Sequence, residues 1–268
     1  MTSSVPAPAG NHVGLPNIAR IRDYWLGGSN HTEADSGLAD QIALCAPHLP
    51  YLVRVQRALI RRLVGFAVER GVRQFLDLGS GVPMGGTAHE VARELDPACR
   101  VVYVDADPGI VSEGRALLGT ASDVAIIQAD IRDPAQVFDA PELSGLLDLG
   151  QPIAVLVIET LLHIPDSDSP AAMVAAYVDR VATGSYLAIS HFGHSEELSN
   201  GLGVFEQMFG SPPPVTLRDS HELERFFAGM EKVVPGTVPV PLWRPADDDE
   251  VARNPERAQV YVGVARKV

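Results

Sequence analysis

Residues Phe75–Glu90 read F-L-D-L-G-S-G-V-P-M-G-G-T-A-H-E, and this stretch decides the fold. The apolar residues that open it predict a short buried strand. Gly79 and Gly81 then allow a tight turn with no Cβ to block a ligand. Thr87 and Glu90 have the spacing of a capping box, which predicts a helix that begins at Thr87. Strand, glycine turn and helix together are typical of a nucleotide-binding βα unit, although an ordinary strand-to-helix turn would leave the same pattern.

The loop after the glycines differs from the loop of a dinucleotide-binding protein. Pro83 stands where a G-x-G-x-x-G fingerprint would be closing toward its third glycine. The predicted helix also begins late, which leaves a wide loop over Val82–Gly86. Such a loop favours a ligand that has no pyrophosphate to dock on the helix N-terminus, and it disfavours NAD.

Composition narrows the class of protein. A chain of 268 residues with 46% hydrophobic residues can bury one large core, with or without a small cap. The net charge of −13 disfavours nucleic acid as the substrate. We find no membrane span, no signal peptide and no zinc-site spacing, so we expect no metal and no membrane partner. Cys45 and Cys99 lie in apolar surroundings and are interpreted as reduced thiols of a cytoplasmic protein.

The chain divides into three parts. Residues 1–15 are rich in Ser, Pro, Ala and Gly and are expected to form a disordered tail. Residues 16–71 are predicted to form a helical cap, with three helices that either cover one sheet face or partly close over a ligand. Residues 72–268 are predicted to form the core, in one domain with the cap.

Strands and helices alternate after the glycine loop, which predicts a parallel, doubly wound α/β sheet. The predicted strands are residues 74–78, 101–104, 124–127, 153–158, 186–190, 233–240 and 260–265. No helix is predicted between the last two strands, so that pair is expected to be antiparallel. Seven strands that end in an antiparallel pair form the layout of class I methyltransferases, whereas dehydrogenases of Rossmann type usually lack the pair.

Acidic residues stand at or near the ends of successive predicted strands: Asp77, Asp105, Asp130 and Glu159. Ligands of such sheets bind beyond the carboxyl ends of the strands. Asp105 is placed to accept hydrogen bonds from both ribose hydroxyls, and Asp130 from an adenine amino group. Each acid alone is better interpreted as a helix cap or part of a solvated turn, but the series of acids at successive strand ends favours a nucleoside site.

Histidines near the same strand ends are candidate catalytic groups. His163 follows the fourth strand and is a candidate general base, because an unperturbed imidazole titrates near neutral pH. A neutral histidine that bonds to a nearby carbonyl fits the same position. His191 and His194, after the fifth strand, are weaker candidates of the same kind.

Four motifs resemble a bacterial family of methyltransferases that depend on S-adenosylmethionine. They are N-I-A-R-I-R-D-Y-W-L-G-G (17–28), F-L-D-L-G-S-G-V-P (75–83), V-V-Y-V-D-A-D-P (101–108) and W-R-P-A-D (243–247). The resemblance implies the class I fold, S-adenosylmethionine bound around the glycine turn and the two aspartates, and an N-terminal segment near the cofactor. The chain departs from the family pattern in two places: Arg22 replaces a frequent Tyr, and Ser29–Thr32 replaces a K-D-N-F-like run. If that run shapes the acceptor pocket, the substrate of a relative does not carry over to this chain.

The predicted cofactor site combines residues of these motifs with residues at the ends of the predicted strands. It comprises Arg20, Tyr24, Gly28, Asp77, Gly79, Ser80, Gly81, Asp105, Ala106, Asp130, Ile131 and Glu159. Arg20 is expected to meet the methionine carboxylate, Tyr24 to lie against the adenine or sulfonium end, and Gly28 to let the segment bend.

The predicted activity is transfer of the sulfonium methyl group to a small-molecule acceptor. Two alternatives stay open: a non-catalytic module that binds S-adenosylmethionine or S-adenosylhomocysteine, and an NAD-dependent oxidoreductase.

Overall fold

Apolar runs form the strands of one mixed sheet in the computed structural model of the chain. The structure describes residues 16, 18–29, 31–45, 47–83, 85–209, 215–245, 255 and 258–268. The strands are β1 (Gln74–Leu78), β2 (Arg100–Asp105), β3 (Val124–Gln128), β4 (Ile153–Ile158), β5 (Tyr186–Phe192), β6 (Glu231–Lys232), β7 (Val238–Pro239) and β8 (Val260–Arg266). Their order is β3-β2-β1-β4-β5-β8-β6, and β7 also pairs with β8.

Strands β1 to β5 are parallel, and β8 is antiparallel to β5, β6 and β7. This arrangement confirms the predicted class I methyltransferase-like fold. The strand order changes direction between β1 and β4, which is the point where ligands of open α/β sheets bind.

The strand predicted over residues 233–240 was wrong in detail. Two short segments, β6 and β7, stand in its place, and both pair with β8. Pro235 has no N–H for the ladder, and Gly236 has a φ of 88° and donates to the Val233 carbonyl at 2.8 Å. The turn therefore interrupts the strand, and eight segments fill seven positions in the sheet.

Helices cover both faces of the sheet. They are α1 (Ile18–Trp25), α2 (Glu33–Cys45), α3 (Leu49–Glu69), α4 (Ala88–Leu95), α5 (Pro108–Leu118), α6 (Pro134–Phe138), α7 (Pro141–Leu146), α8 (Pro170–Arg180), α9 (Glu196–Phe209) and α10 (Ser220–Leu223). Successive residues of β1 alternate between two buried clusters: Phe75 packs with α3 and α4, and Leu76 packs with α6, α7 and α8. This alternation is the period of two that a strand with both faces covered requires.

The predicted cap is divided in two by the structure. Leu59, Leu63 and Phe66 of α3 are buried in the same cluster as β1 and β2, so α3 is a core helix. Helices α1 and α2 instead form a small cluster of their own around Ile21 and Leu38.

Some predictions fall outside the described part of the chain. The expected disordered tail, residues 1–15, lies there, as does the Cys45 side chain, whereas Cys99 is a buried thiol. Among the described helices, none is both long enough and apolar enough to cross a membrane.

Truncation of α3 tests its place in the core. Leu59 is fully buried, so Leu59→Ala should lower the free energy of unfolding by about 2–5 kcal/mol through lost burial and the cavity left behind. Urea denaturation measures this change. Leu44→Ala on α2, where 84% of the residue is exposed, is the control and should stay within about 0.5 kcal/mol. Equal small effects would show that α3 is not a core helix.

Candidate cofactor and acceptor site

A cavity of about 850 Å³ lies at the carboxyl ends of β1 to β5. Its volume is at the upper end of the ~300–1,000 Å³ range of small-molecule sites. The loops after the strands form one side, and helices α1 and α3 contribute the other. Since the change of strand order between β1 and β4 falls here, topology makes this region the candidate binding site.

Nine of the twelve predicted cofactor residues line this cavity: Asp77, Gly79, Ser80, Gly81, Asp105, Ala106, Asp130, Ile131 and Glu159. The candidate base His163 lines it as well. Residues from four different parts of the chain, one at or after the end of each of β1 to β4, are thus brought together by the parallel sheet.

The remaining three predicted residues, Arg20, Tyr24 and Gly28, do not line the cavity. Arg20 Nε donates to Asp35 at 2.7 Å, and the Tyr24 hydroxyl donates to Asp40 at 3.1 Å. Residues 20 and 24 share one face of a helix, and in the structure that face of α1 packs on α2.

The opposite face of α1 supplies Arg22 and Trp25, at i and i+3, to the cavity, and Leu26 lines it just after the helix ends. Arg22 donates to Gln56 of α3, whose side chain is buried. Sequence reasoning missed Arg22, Gln56 and Arg57 as site residues. The available signal was helical spacing, since Gln56 falls four residues after Leu52 on an apolar face of α3.

The glycine turn leaves no room for a side chain at Gly79. Gly79 has a φ of 73°, and its N–H donates to the Val104 carbonyl of β2 at 2.8 Å. Thr160 Oγ1 donates to the Leu78 carbonyl at 2.7 Å, and a Cβ at Gly79 would overlap the Thr160 side chain. Only glycine fits both the backbone conformation and the space.

The Asp105 carboxylate holds the backbone around the cavity. One oxygen accepts from the Gly81 N–H at 3.0 Å, and the other accepts from the Asp107 N–H at 2.9 Å. Each carboxylate oxygen can accept more than one hydrogen bond, so Asp105 retains acceptor capacity toward a ligand.

Asp77 and Arg57, an acid and a base, line the cavity beside the glycine turn. Asp77 is only 7% exposed, and burial raises the pKa of its carboxyl to about 7 although the Arg57 guanidinium opposes the shift. Burial likewise lowers the pKa of Arg57, which donates to the Gly86 carbonyl at 3.3 Å. Each group is charged at a cost in desolvation, which a ligand with the complementary charge would offset.

Asp130 at the end of β3 is paired with a neighbour. Arg132 donates to its carboxylate at 2.6 Å, and these hydrogen bonds hold the pKa of Asp130 below its usual value. Arg132 also reaches Asp168 at 3.3 Å. A ligand amino group at Asp130 would share the carboxylate with Arg132.

Glu159 follows β4 in an unusual backbone conformation. Its φ of 60° lies in the left-handed region, which is uncommon for residues other than glycine and recurs at functional sites. Its N–H donates to the Ser190 carbonyl of β5 at 2.9 Å, which fixes the turn. Burial raises the pKa of the Glu159 carboxyl to about 7, and the Arg22 guanidinium opposes the shift.

The three candidate histidines have different surroundings. His163 is exposed although it lines the cavity, and partial desolvation lowers the pKa of its imidazole. His194 is exposed and does not line the cavity.

His191 is a structural histidine. Arg218, which is 1% exposed, contacts its Nε2 at 2.9 Å. Because a guanidinium can only donate, Nε2 must accept, and Nδ1 then donates to the Phe192 carbonyl at 2.8 Å. Burial lowers the pKa of His191 to about 4, so it stays neutral and its hydrogen bonds are both used.

Among the residues the structure describes, no group of three or more His, Cys, Asp and Glu side chains is arranged to hold a metal ion.

The raised pKa values of Asp77 and Glu159 predict a pH dependence of stability. Both groups keep a proton up to about pH 7 in the folded state, whereas their ordinary values are 3.8 and 4.5. The folded state therefore binds more protons, and the free energy of unfolding should fall as the pH rises from 5 to 8, by roughly 2–5 kcal/mol for both groups together.

Urea denaturation of the double variant Asp77→Asn, Glu159→Gln at pH 5 and 8 measures this contribution. The variant is neutral at both positions at every pH, so it should gain stability relative to the wild type as the pH rises. Asp130→Asn is the control, because the pKa of Asp130 is held low and it titrates below this window. A double variant that follows the wild-type pH dependence would show that neither carboxyl is protonated in the fold.

Comparison with known proteins places the chain in a family. The family model of S-adenosyl methyltransferases matches residues 10–268. A solved DUF574 family protein from Streptomyces avermitilis is 36% identical, covers 95% of this chain and 98% of its own, and has a TM-score of 0.81. A Thermobifida fusca protein with a provisional methyltransferase assignment is 35% identical, covers 98% of this chain and 99% of its own, and also has a TM-score of 0.81.

A more distant structure shares the fold alone. It is a SAM-dependent methyltransferase from Methanosarcina mazei, 12% identical, which covers 74% of this chain and 93% of its own with a TM-score of 0.50. No curated protein matches the chain. Because the family model spans nearly the whole sequence and two solved structures match it over nearly their full length, this chain belongs to the S-adenosyl methyltransferase family.

Proposed function

We propose that this protein transfers the methyl group of S-adenosylmethionine to a small molecule bound in the same cavity. The observation that carries the proposal is the gathering of acids from the ends of β1 to β4 around one glycine turn and one cavity. S-adenosylmethionine supplies an activated methyl group on a sulfonium centre, and the protein's task is to hold that group in line with a nucleophile. Alignment of two bound reactants can contribute several kcal/mol without a specialised side chain.

The nucleoside half of the cofactor is assigned to the ends of β2 and β3. Asp105 has acceptor capacity for the two ribose hydroxyls while its carboxylate also holds the loop N–H groups. Ala106 and Ile131 follow the two strand ends and line the cavity beside Asp105 and Asp130. Asp130 is assigned to the adenine amino group, in competition with Arg132.

The methionine half is assigned to the end of β1 and to α3. Asp77, buried and unfavourably charged, suits the ammonium group, and Arg57 suits the carboxylate. Arg57 takes the role that sequence reasoning gave to Arg20, because Arg20 is bonded to Asp35 on the other face of α1. The zwitterion would relieve the desolvation of both side chains at once.

Loss of the ribose acceptor tests the cofactor assignment. Asp105→Ala should weaken the binding of S-adenosylhomocysteine by about 2–3 kcal/mol, roughly 30- to 150-fold, because charge-assisted hydrogen bonds are lost. Isothermal calorimetry measures the affinity. Asp179→Asn, an exposed acid on α8 outside the cavity, is the control and should leave it unchanged.

Three outcomes would contradict the proposal at different levels. Unchanged affinity in folded Asp105→Ala would remove Asp105 from the site. A wild-type protein that binds NAD at micromolar concentration and does not bind S-adenosylhomocysteine would be an oxidoreductase candidate instead. Binding of S-adenosylmethionine without methyl transfer to any small acceptor would favour the non-catalytic module.

A second comparison isolates the methionine end. Arg57→Met should weaken S-adenosylhomocysteine about 10- to 150-fold, since a charge-assisted pair is lost. The same variant should bind 5′-methylthioadenosine, which lacks the amino-acid part, as well as the wild type does. Arg61→Met, an exposed residue one turn later on α3, is the matched control for calorimetry. Equal loss for both ligands would mean that Arg57 supports the cavity without contacting the carboxylate.

A further inference from the structure

The charges that line the cavity are unequal. Among the described lining residues are the five carboxylates of Asp23, Asp77, Asp105, Asp130 and Glu159. Three guanidinium groups, those of Arg22, Arg57 and Arg132, line it as well. With all eight groups charged, the formal charge of the lining is −2, and the chain as a whole carries −13.

The cofactor does not neutralise this charge. Its sulfonium and ammonium groups carry two positive charges and its carboxylate one negative charge, so it brings a net charge of +1. Above about pH 7, where Asp77 and Glu159 are ionised as well, the −2 of the lining and the +1 of the cofactor leave the cavity negative, so it attracts a cation more than an anion. An acceptor that carries a carboxylate or a phosphate is disfavoured on this ground.

Glu159 is the carboxylate placed for the acceptor. Asp105 and Asp130 lie at the ends of β2 and β3, on the far side of β1 from β4, and the change of strand order falls between β1 and β4. Thr160, the next residue, bonds to the Leu78 carbonyl, which ties the Glu159 turn to the glycine turn. Glu159 thus lies between two halves of the cavity: the cofactor half at the ends of β1 to β3, and a second half at the ends of β4 and β5.

That second half has an apolar wall. Leu162 follows the Glu159 turn, Phe192 ends β5, and Leu198 comes from α9. The Leu162 carbonyl accepts from the Thr216 N–H at 2.8 Å, which brings the neighbouring Val215 to the same wall. A ligand here would place an apolar body against these side chains and a polar group toward Glu159.

We propose that the methyl acceptor is an amine with an apolar body, which arrives as an ammonium ion, pairs with the Glu159 carboxylate and gives its proton to it. The assignment rests on the proposed methyltransferase function and makes Glu159 a catalytic residue, a role that sequence reasoning gave to His163. His163 is exposed at the cavity and stays available to water, whereas Glu159 is held by a fixed backbone turn.

The proton and electron balance is complete within the site. The ammonium ion gives one proton to the Glu159 carboxylate and becomes a neutral amine. The nitrogen lone pair then forms the bond to the methyl carbon while the carbon–sulfur bond breaks and its electron pair stays on sulfur. The products are a methylated ammonium ion, neutral S-adenosylhomocysteine and protonated Glu159.

The surroundings of Glu159 suit this transfer. Burial raises the pKa of Glu159 to about 7, which narrows the gap to an alkylammonium ion near 10. Arg22 is the cation that faces Glu159, and it is held by its hydrogen bond to Gln56. A carboxyl with an ordinary pKa near 4.5 would accept the proton about 300-fold less favourably.

Binding of sinefungin tests the inference without knowledge of the acceptor. In sinefungin an amine-bearing carbon replaces the sulfonium, so a protonated amine stands where the transferred methyl group would be. If Glu159 holds an ammonium ion there, the wild type should bind sinefungin at least about tenfold more tightly than S-adenosylhomocysteine. Calorimetry at pH 7.5 measures both affinities.

Variants assign the preference to one side chain. Glu159→Gln should bring the ratio of the two affinities close to one while S-adenosylhomocysteine binding stays within about threefold. Asp130→Asn removes a carboxylate from the adenine end and should weaken both ligands equally, which leaves the ratio unchanged. If Glu159→Gln does not fold, Glu159→Asp takes its place. This variant keeps the charge on a shorter side chain and should give an intermediate ratio of the two affinities.

The outcomes separate this inference from the proposed function. A wild-type protein that binds both ligands equally, or a Glu159→Gln variant that keeps the sinefungin preference, overturns the amine assignment and leaves the methyltransferase proposal standing. A wild-type protein that binds neither ligand overturns the proposed function itself.

Discussion

The turn at Gly79 is the constraint on which the site depends. Its positive φ, the hydrogen bond from its N–H to Val104, and the close approach of Thr160 fix the ends of β1, β2 and β4 relative to one another. A side chain at Gly79 would force Thr160 away and separate β1 from the turn that carries Glu159. The glycine therefore does more than leave room for a ligand, since it sets how closely the end of β1 approaches the turn that carries Glu159.

A second layer of buried hydrogen bonds supports the Glu159 side of the cavity. Arg218 donates to the carbonyls of Leu161 and Ile164, at 2.9 and 2.7 Å, and to the Asp166 carboxylate. These contacts hold the segment that follows Glu159, and neutral His191 completes the set of acceptors around the guanidinium. Removal of one partner would leave buried polar groups without hydrogen bonds, which is more costly than the net gain from the intact set.

Desolvated charge is the common feature of the three residues that are proposed to meet charged groups of the ligands. Asp77, Arg57 and Glu159 all have pKa values shifted toward their neutral forms, and burial is the largest cause in each. Such groups destabilise the fold when they are charged and unpaired, and a zwitterionic or cationic ligand offsets that cost. Asp130, which is assigned to the uncharged adenine amino group, shows the opposite shift, because Arg132 is already bonded to its carboxylate.

The sequence by itself determined the sheet, the glycine turn and the acids at the strand ends. These features depend on local patterns: apolar runs, left-handed glycines, and a capping box at Thr87 whose N–H donates to Glu90 at 2.9 Å. Residues at the ends of parallel strands must meet at one edge, so topology turns a linear series of acids into a cluster. That is why Asp77, Asp105, Asp130 and Glu159 could be named before the structure was known.

Only the tertiary structure decided which faces of the helices reach the cavity. Arg20 and Arg22 are both basic and two residues apart, but one bonds to Asp35 of α2 and the other lines the cavity. It also decided that His191 accepts a hydrogen bond from Arg218 in the interior, and that Pro235 and Gly236 divide the strand beside β8. The physical reason is the same in each case: the rotation of a helix and the partner of a buried polar group depend on packing between elements distant in sequence, which no local pattern records.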